Sequence, residues 1–289
     1  MWLGLEICDR LLPGSPSVLR VATKSDERKP AVPRDLSQSR SLLNAVLFSL
    51  VFLVATILAL NPDWFDRPVV KGINGFTTDW QFANVLAFVF SYPTLESGIV
   101  VLCVWCCWFS GIEADLRARI VSGAFAAVFA ALISHFVQWM LPTSPKPIFD
   151  AALQLHLPGI LGDIESLRTN SFPDAHTFPS DRATMFAGLA IAILLVQPNI
   201  GLLALGCTVT AESSRIYLGL HYPTDIIGSF SVAAALVWLA QMPWGPALGS
   251  WFVSWERNSA ATFYMCAFYL SYQVTNGFQD LRELAAHLL

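Results

Sequence analysis

The sequence predicts an all-α membrane protein: a polytopic bundle of six core transmembrane helices, with a seventh hydrophobic helix near the C-terminus. Three observations predict this class. Hydrophobic residues make up 55% of the chain and charged residues only 13%, whereas about 25% of the residues in soluble domains are charged. The mean hydropathy is +0.54. The apolar residues also fall in runs of about 20, the length that crosses a bilayer.

Six apolar runs are predicted to be the core spans: residues 41–60, 93–112, 120–141, 183–196, 199–218 and 226–242. The run WQFANVLAFVFS, just before the second span, is too short to cross alone and predicts an interfacial or re-entrant segment. The last uncharged run, residues 258–279, either spans the bilayer as a seventh helix or lies on the bundle.

Charge divides the chain into three regions: a polar tail (1–40), the six-helix membrane domain (41–242) and a C-terminal segment (243–289) that contains helix 258–279. The tail has no signal-peptide core and carries seven basic residues: Arg10, Arg20, Lys24, Arg28, Lys29, Arg34 and Arg40. By the positive-inside rule the tail is expected in the cytoplasm. Alternation of the spans then places loops 61–79, 142–182 and 214–225 together on the outer face.

Several function classes are disfavoured. The net charge of −4 and the lack of a basic cluster argue against nucleic-acid binding. Five of the six cysteines fall inside apolar runs, where we expect them to pack as small hydrophobes. Cys103 and Cys106 form a CxxC but lack the strand–helix context of a redox motif. No metal-ligand spacing appears, so we expect neither a metal nor another cofactor.

The stretch SRIYLGLHYPTD, residues 214–225, has the composition of a phosphate-handling site. Arg215 ends the fifth span, and its planar fork of donors suits phosphate oxygens. His221 and Asp225 bracket the start of the sixth span, four residues apart, a spacing that places both on one helix face. A carboxylate there holds one imidazole nitrogen as a donor and leaves the other free to attack.

These residues match the third signature of the type 2 phosphatidic acid phosphatase superfamily, the integral-membrane lipid phosphatases. That signature is SR, five residues, H, three residues, D, and it stands intact as Ser214, Arg215, His221 and Asp225. The chain resembles this family over roughly residues 40–242. The resemblance implies a phosphohistidine intermediate that water hydrolyses. The similarity to bacterial members implies a bacterial inner membrane, with the site on the periplasmic or extracellular side.

The second signature of the family, PSGH or PSDH, is altered at its last position. It corresponds to Pro179, Ser180, Asp181 and Arg182. This stretch directly precedes a predicted helix, whose free N–H groups and positive dipole end favour a phosphate. Ser180 is at the same time a candidate N-cap for that helix.

The first signature, a lysine, six residues and RP, is also altered. Lys146 and Pro147 stand at the RP position, and Trp139 occupies the place of the lysine. Lys146 keeps a positive charge but loses the bidentate geometry of arginine, and Trp139 contributes no charge.

Arg182 stands where the family has a histidine that protonates the leaving oxygen, and arginine does not lose its proton in proteins. General acid catalysis is worth about 10²- to 10⁴-fold in rate. A phosphate leaving group needs little such help because its second pKa is about 6. An arginine at position 182 therefore favours isoprenoid diphosphates, such as undecaprenyl diphosphate, over phosphatidic acid as substrates. His176, six residues upstream in FPDAH, is an alternative acid.

Two main functions follow from this pattern. The first is a membrane phosphatase or phosphotransferase that acts on a lipid phosphate or diphosphate, with His221 as nucleophile, Asp225 and Arg215 beside it, and Lys146, Ser180, Asp181, Arg182 and Ser214 on the phosphate. The alternative is a non-catalytic relative that binds or carries a lipid phosphate head group. A haloperoxidase-like oxyanion site is a third reading, disfavoured by the apolar composition.

Overall fold

The computed structural model describes residues 34–77, 80–156, 159–161 and 176–278. Most of the predicted tail and part of loop 142–182 lie outside these ranges. Chain contacts divide the molecule into Met1–Arg34 and Asp35–Leu289, and the second unit holds the site. Within the described ranges every regular element is a helix, which confirms the predicted all-α membrane bundle.

Ten α-helices and four short 3₁₀ turns make up the described part of the chain. The α-helices are α1 (Arg34–Ala59), α2 (Asp66–Asn74), α3 (Gln81–Phe90), α4 (Pro93–Phe109), α5 (Ala114–Met140), α6 (Asp181–Leu194), α7 (Pro198–Tyr217), α8 (Pro223–Ala240), α9 (Gly245–Asn258) and α10 (Ala260–Thr275). The 3₁₀ turns are Pro62–Trp64, Gly75–Thr77, Pro147–Phe149 and Gly159–Leu161.

Among the described helices, α1, α5 and α8 are each long and apolar enough to cross a membrane. Helices α3 and α4 meet the same criterion together, as a pair bent by 53°. The break falls at Ser91 and Tyr92 because Pro93, at the first position of α4, disfavours helical backbone in the residue before it. Helix α6 has 14 residues and α7 carries charged residues in its last turns, so the count of six spans stays a prediction.

Helix α1 lies at the periphery, whereas α6 and α8 lie inside the bundle. The side chains of Leu43, Leu50 and Val54 on α1 are exposed and apolar, as suits a helix that faces lipid. In contrast, small residues let α5 approach α6 closely: a Cβ added to Gly123 would meet Ala192, and one added to Gly188 would meet Ala127. Such close approach is typical of helix packing in membranes.

Three segments differ from the predicted spans and loops. Helix α2 lies in a stretch predicted as a loop, and α9 was not predicted. The apolar run 258–279 forms the shorter helix α10, which packs on α4 through a hydrogen bond from Ser97 Oγ to the carbonyl of Thr275 (2.9 Å). Helices α4, α5, α6, α9 and α10 line an open apolar pocket of about 340 Å³, and no predicted site residue lines it.

Candidate active site

His221 lies in the connection between α7 and α8, one residue before the cap of α8. Gly219, with φ of +73°, makes the left-handed turn that a residue with a Cβ rarely adopts. Tyr222 is the N-cap of α8, and Asp225 occupies the third helical position. Asp225 Oδ2 is 3.2 Å from His221 Nδ1 and accepts the backbone N–H of Tyr222 (2.9 Å). The pair is therefore a contact across a helix cap, not the contact on one helix face that the spacing predicted.

This geometry indicates which imidazole nitrogen of His221 carries the hydrogen. A carboxylate oxygen only accepts hydrogen bonds, so Nδ1 of His221 carries the hydrogen in its contact with Asp225. The lone pair then lies on Nε2. The side chain of His221 is 17% exposed, whereas that of Asp225 is 1% exposed. His221 is accordingly partly open, and its orienting carboxylate is shielded from solvent.

The loop that contains Lys146 is fastened beside His221. The backbone N–H of Ile148 donates to the carbonyl of Gly219 (3.0 Å), and the hydroxyl of Tyr222 donates to Asp150 Oδ2 (2.8 Å). Lys146 is half-buried, and burial lowers the pKa of its ammonium. Such a cation gains more from a bound anion than a fully hydrated lysine does.

Helix α2 contacts this region through two side chains that the sequence pattern does not predict. Asp66 accepts the backbone N–H (3.1 Å) and the hydroxyl (2.5 Å) of Thr224, in the first turn of α8. Arg67 donates to Asp150 (2.9 Å). Burial favours the protonated form of Asp150, but the hydrogen bonds from Tyr222 and Arg67 outweigh it and hold the pKa of Asp150 below its ordinary value. We call His221, Asp225, Tyr222, Asp150 and Asp66 the histidine cluster.

The second signature packs on the first turns of α8. Ser180 caps α6, as predicted, by accepting the backbone N–H of Ala183 (3.3 Å). The hydroxyl of Ser229 lies 2.9 Å from the carbonyl of Ser180 and 2.6 Å from that of Asp225. Phe178 is fully buried, and a Cβ added to Gly228 would clash with its ring. The backbones of the second and third signatures are thus held together.

Helix α5 supports the second signature from the other side. Gln138 Nε2 donates to the carbonyl of Pro179 (2.5 Å), and His135 Nδ1 is 3.6 Å from Asp181 Oδ2. The side chain of His135 is 68% exposed, so this contact lies at the surface of the bundle. Trp139, next along α5, is 79% exposed and faces outward. His176 Nδ1 is 2.5 Å from the carbonyl of Thr143, which places this histidine against the loop that leads to Lys146.

Two arginines of the signatures meet at a buried glutamate. Arg215 Nη2 is 3.0 Å from Glu96 Oε2, and its Nη1 bonds Glu212, one turn earlier. Arg182 Nε is 3.7 Å from the same Glu96 oxygen. We call Arg182, Arg215, Glu96 and Glu212 the arginine cluster. No role for Glu96 is predicted from the sequence, because no spacing relates this residue to the signatures.

The remaining predicted residues have local roles in the structure. The hydroxyl of Ser214 donates to the carbonyl of Thr210 (2.8 Å), one turn back in α7. Asp181 Oδ1 accepts the backbone N–H of Arg182 (2.8 Å). Cys103 and Cys107 are buried in an apolar cluster. Within the described ranges no group of three His, Cys, Asp or Glu side chains is arranged to hold a metal ion.

The chain is similar to a known membrane enzyme. It is 23% identical over 172 residues to the undecaprenyl-diphosphatase BcrC of Bacillus subtilis (strain 168), a match that covers 59% of this chain and 80% of that protein. No protein-family model matches the chain. No solved structure matches it either. The similarity supports a relationship to enzymes of the type 2 phosphatidic acid phosphatase kind.

Proposed function

We propose that this protein is a membrane phosphatase that removes the terminal phosphate of an isoprenoid diphosphate through a phosphohistidine on His221. The observation that carries the proposal is the contact between His221 Nδ1 and Asp225 Oδ2, which leaves Nε2 as the nucleophile within an intact third signature. The similarity to an undecaprenyl-diphosphatase supports a substrate of the polyprenyl diphosphate class.

The reaction has two displacement steps at one phosphorus atom. Nε2 of His221 attacks the terminal phosphorus, a P–N bond forms, and the P–O bond of the anhydride breaks. The leaving group is the polyprenyl monophosphate, which departs as an anion without a general acid because its second pKa is about 6. Water then attacks the same phosphorus and breaks the P–N bond. The phosphate leaves as dihydrogen phosphate, which keeps both protons of the water, and His221 returns to its neutral form with the hydrogen on Nδ1. A lipid acceptor in place of water would make the reaction a phosphotransfer.

Lys146, Arg182 and Arg215 supply the positive charge that this reaction needs. In phosphoryl transfer, catalysis comes mainly from positioning and electrostatic stabilisation of the phosphoryl oxygens. The N-terminus of α6, with Ser180 at its cap, adds backbone donors to the same end of the bundle. We place this end on the periplasmic or extracellular side of a bacterial inner membrane, from the basic residues of the N-terminal tail and the positive-inside rule.

Trapping of the intermediate tests the proposal. Purified protein in detergent is mixed with a polyprenyl diphosphate labelled with ³²P at the terminal phosphate and quenched in alkali, in which phosphohistidine survives. We expect label on the wild-type protein, and neither label nor phosphate release from His221→Ala. His156→Ala is the matched control, because this exposed histidine contacts Asn74 through its backbone.

Two further outcomes discriminate between the alternatives. Binding of the diphosphate without label or phosphate release would identify a non-catalytic lipid-phosphate binder and overturn the proposal. His176→Asn tests the alternative acid: we expect diphosphate hydrolysis to fall less than about tenfold, because a missing general acid costs about 10²- to 10⁴-fold. A loss in that larger range would assign proton donation to His176.

A further inference from the structure

Glu96, on α4, contacts one arginine on each of two other helices. Each of these arginines belongs to one of the signatures. The side chain of Glu96 is 0% exposed. One oxygen, Oε2, lies 3.0 Å from Nη2 of Arg215 on α7 and 3.7 Å from Nε of Arg182 on α6. A carboxylate removed from water in this way is retained only where charged partners compensate it. The position of Glu96 on α4 therefore fixes where both guanidinium groups lie.

The break between α3 and α4 adds two acceptors to the same arginines. Nη2 of Arg215 is 3.4 Å from the carbonyl of Ser91, and Nη2 of Arg182 donates to the carbonyl of Pro93. A bend within a membrane bundle exposes backbone carbonyls that need donors. The carbonyl groups at the bend and the carboxylate of Glu96 therefore bind the same two guanidinium groups.

Arg182 keeps binding capacity after these contacts. Its side chain is 26% exposed, and the hydrogen bond of its guanidinium group to Pro93 uses Nη2. Arg182 Nε and both carboxylate oxygens of Glu96 are buried without a hydrogen-bond partner in the described part of the chain, so Glu96 holds the arginines through ion pairs. An unpaired buried donor such as Arg182 Nε is costly, and it favours a ligand that accepts hydrogen bonds at this arginine.

We propose that Glu96 is a positioning residue that orients Arg182 to bind the second phosphate of a diphosphate substrate. The inference rests on the proposed function and deepens it. Arg215 and Arg182 share one carboxylate oxygen, so their guanidinium groups lie close enough to contact neighbouring phosphates. The hydrogen bond from Nη2 to Pro93 and the ion pair with Glu96 fix the direction in which the planar guanidinium presents its other donors. The preference for diphosphate over monophosphate then depends on Glu96 through Arg182.

A double-mutant cycle tests this coupling. For wild type, Glu96→Gln, Arg182→Gln and the double variant, kcat and KM are measured on a polyprenyl diphosphate and on the monophosphate of the same chain length. We expect Glu96→Gln to lower the ratio of kcat/KM for diphosphate to that for monophosphate about tenfold, through KM, a size typical of coupled neighbours. In the Arg182→Gln background the same change should have no further effect on the ratio.

Glu212→Gln is the matched control, because Glu212 contacts Arg215 and its effect on the ratio should add to that of Arg182→Gln. An unchanged ratio in Glu96→Gln, or additive effects of Glu96→Gln and Arg182→Gln, would overturn the inference. Should Glu96→Gln not be recovered folded, Glu96→Asp keeps the charge one methylene short and should show a smaller fall that again depends on Arg182.

The outcome of the trapping experiment separates this inference from the proposed function. If the wild-type protein forms no phosphohistidine, the proposed function fails. If phosphohistidine forms in both wild type and Glu96→Gln while the preference stays the same, the role of Glu96 alone fails.

Discussion

The histidine cluster and the arginine cluster lie at the same end of the bundle but differ in how their functional side chains are exposed and paired. In the histidine cluster, Asp225 is held by a helix cap and orients an imidazole that stays 17% exposed. In the arginine cluster, the formal charges of two guanidinium groups are balanced by Glu96 and Glu212, both fully buried. The imidazole of His221 is kept partly open and aligned, whereas the two guanidinium groups are paired with buried carboxylates.

We expect the two regions to differ in how strongly they attract an anionic substrate. A phosphate that approaches Arg182 meets a guanidinium already paired with the carboxylate of Glu96. The attraction between this guanidinium and the phosphate is therefore weaker than that of an unpaired cation. Lys146 is different, because it is half-buried and its pKa is lowered by burial alone. We therefore expect Lys146 and the amides near Ser180 to attract the anion, and the arginine cluster to select among anions.

The largest expected effect comes from the orienting carboxylate of the histidine cluster. Asp225→Asn can still accept the N–H of Tyr222, so the cap of α8 is kept. The amide no longer requires a hydrogen on Nδ1, and the tautomer with a nucleophilic Nε2 loses its advantage. We expect kcat to fall by about 10²- to 10⁴-fold with little change in thermal stability.

Tyr222→Phe is the control for that measurement. It removes the hydrogen bond to Asp150 but leaves the contact between Asp225 and His221, so the loss should stay within the 10- to 100-fold range of supporting residues. Equal losses of kcat in Asp225→Asn and Tyr222→Phe would contradict a special role for the carboxylate.

The second prediction alters the arginine cluster at the position that departs from the family signature. Arg182→His restores a group able to protonate an alcohol leaving group. We expect kcat/KM for a lipid monophosphate to rise by about 10²-fold, and that for a diphosphate to fall about tenfold because one phosphate contact is lost. The measurement is kcat/KM on both substrates across pH.

Arg182→Lys is the matched control for this prediction, because it keeps a cation and supplies no acid near neutral pH. The monophosphate rate should not rise in this variant. A fall of both rates in Arg182→His would contradict the prediction, because it would show that a histidine at this position does not protonate the leaving group.

In both clusters, the sequence predicts contacts between neighbouring positions and does not predict contacts between distant ones. The contact between His221 and Asp225 joins residues four apart, so a local signature is sufficient. Asp66 contacts Thr224 across 158 positions, and Asp150 contacts Tyr222 across 72. No periodicity or spacing relates such residues. Glu96 is hidden for the same reason, since its partners come from two other helices.

The helices show the same limit. The apolar runs of α1, α4, α5, α7 and α8 predict these elements because each run follows from local composition. Helix α2 has only nine residues, and an isolated helix of that length is marginal in water. It forms because Asp66 and Arg67 dock it on the first turn of α8 and on the Lys146 loop, and these tertiary contacts are invisible in the sequence.

The smallest expected effect concerns stability at Asp66, where burial and the nearby charge of Asp225 raise the pKa to about 6 even though hydrogen bonds from Thr224 lower it. The ordinary value is 3.8, so the folded protein holds this proton more tightly than the unfolded chain does. The associated stability is full below pH 3.8 and is lost as the pH rises through 6. Between pH 7 and pH 5 the wild type should gain about 1 kcal/mol, or about 2–4 °C in Tm.

Asp66→Asn mimics the protonated acid and should lack this gain, whereas Asp63→Asn, an exposed acid one turn earlier, should keep it. Thermal unfolding of the three proteins in one detergent at pH 7, 6 and 5 measures the difference. Parallel curves for wild type and Asp66→Asn would mean that Asp66 binds its proton equally in both states. Helix α2 would then hold the cap of α8 through hydrogen bonds alone. The charge of Asp225 would have no effect on the protonation of Asp66.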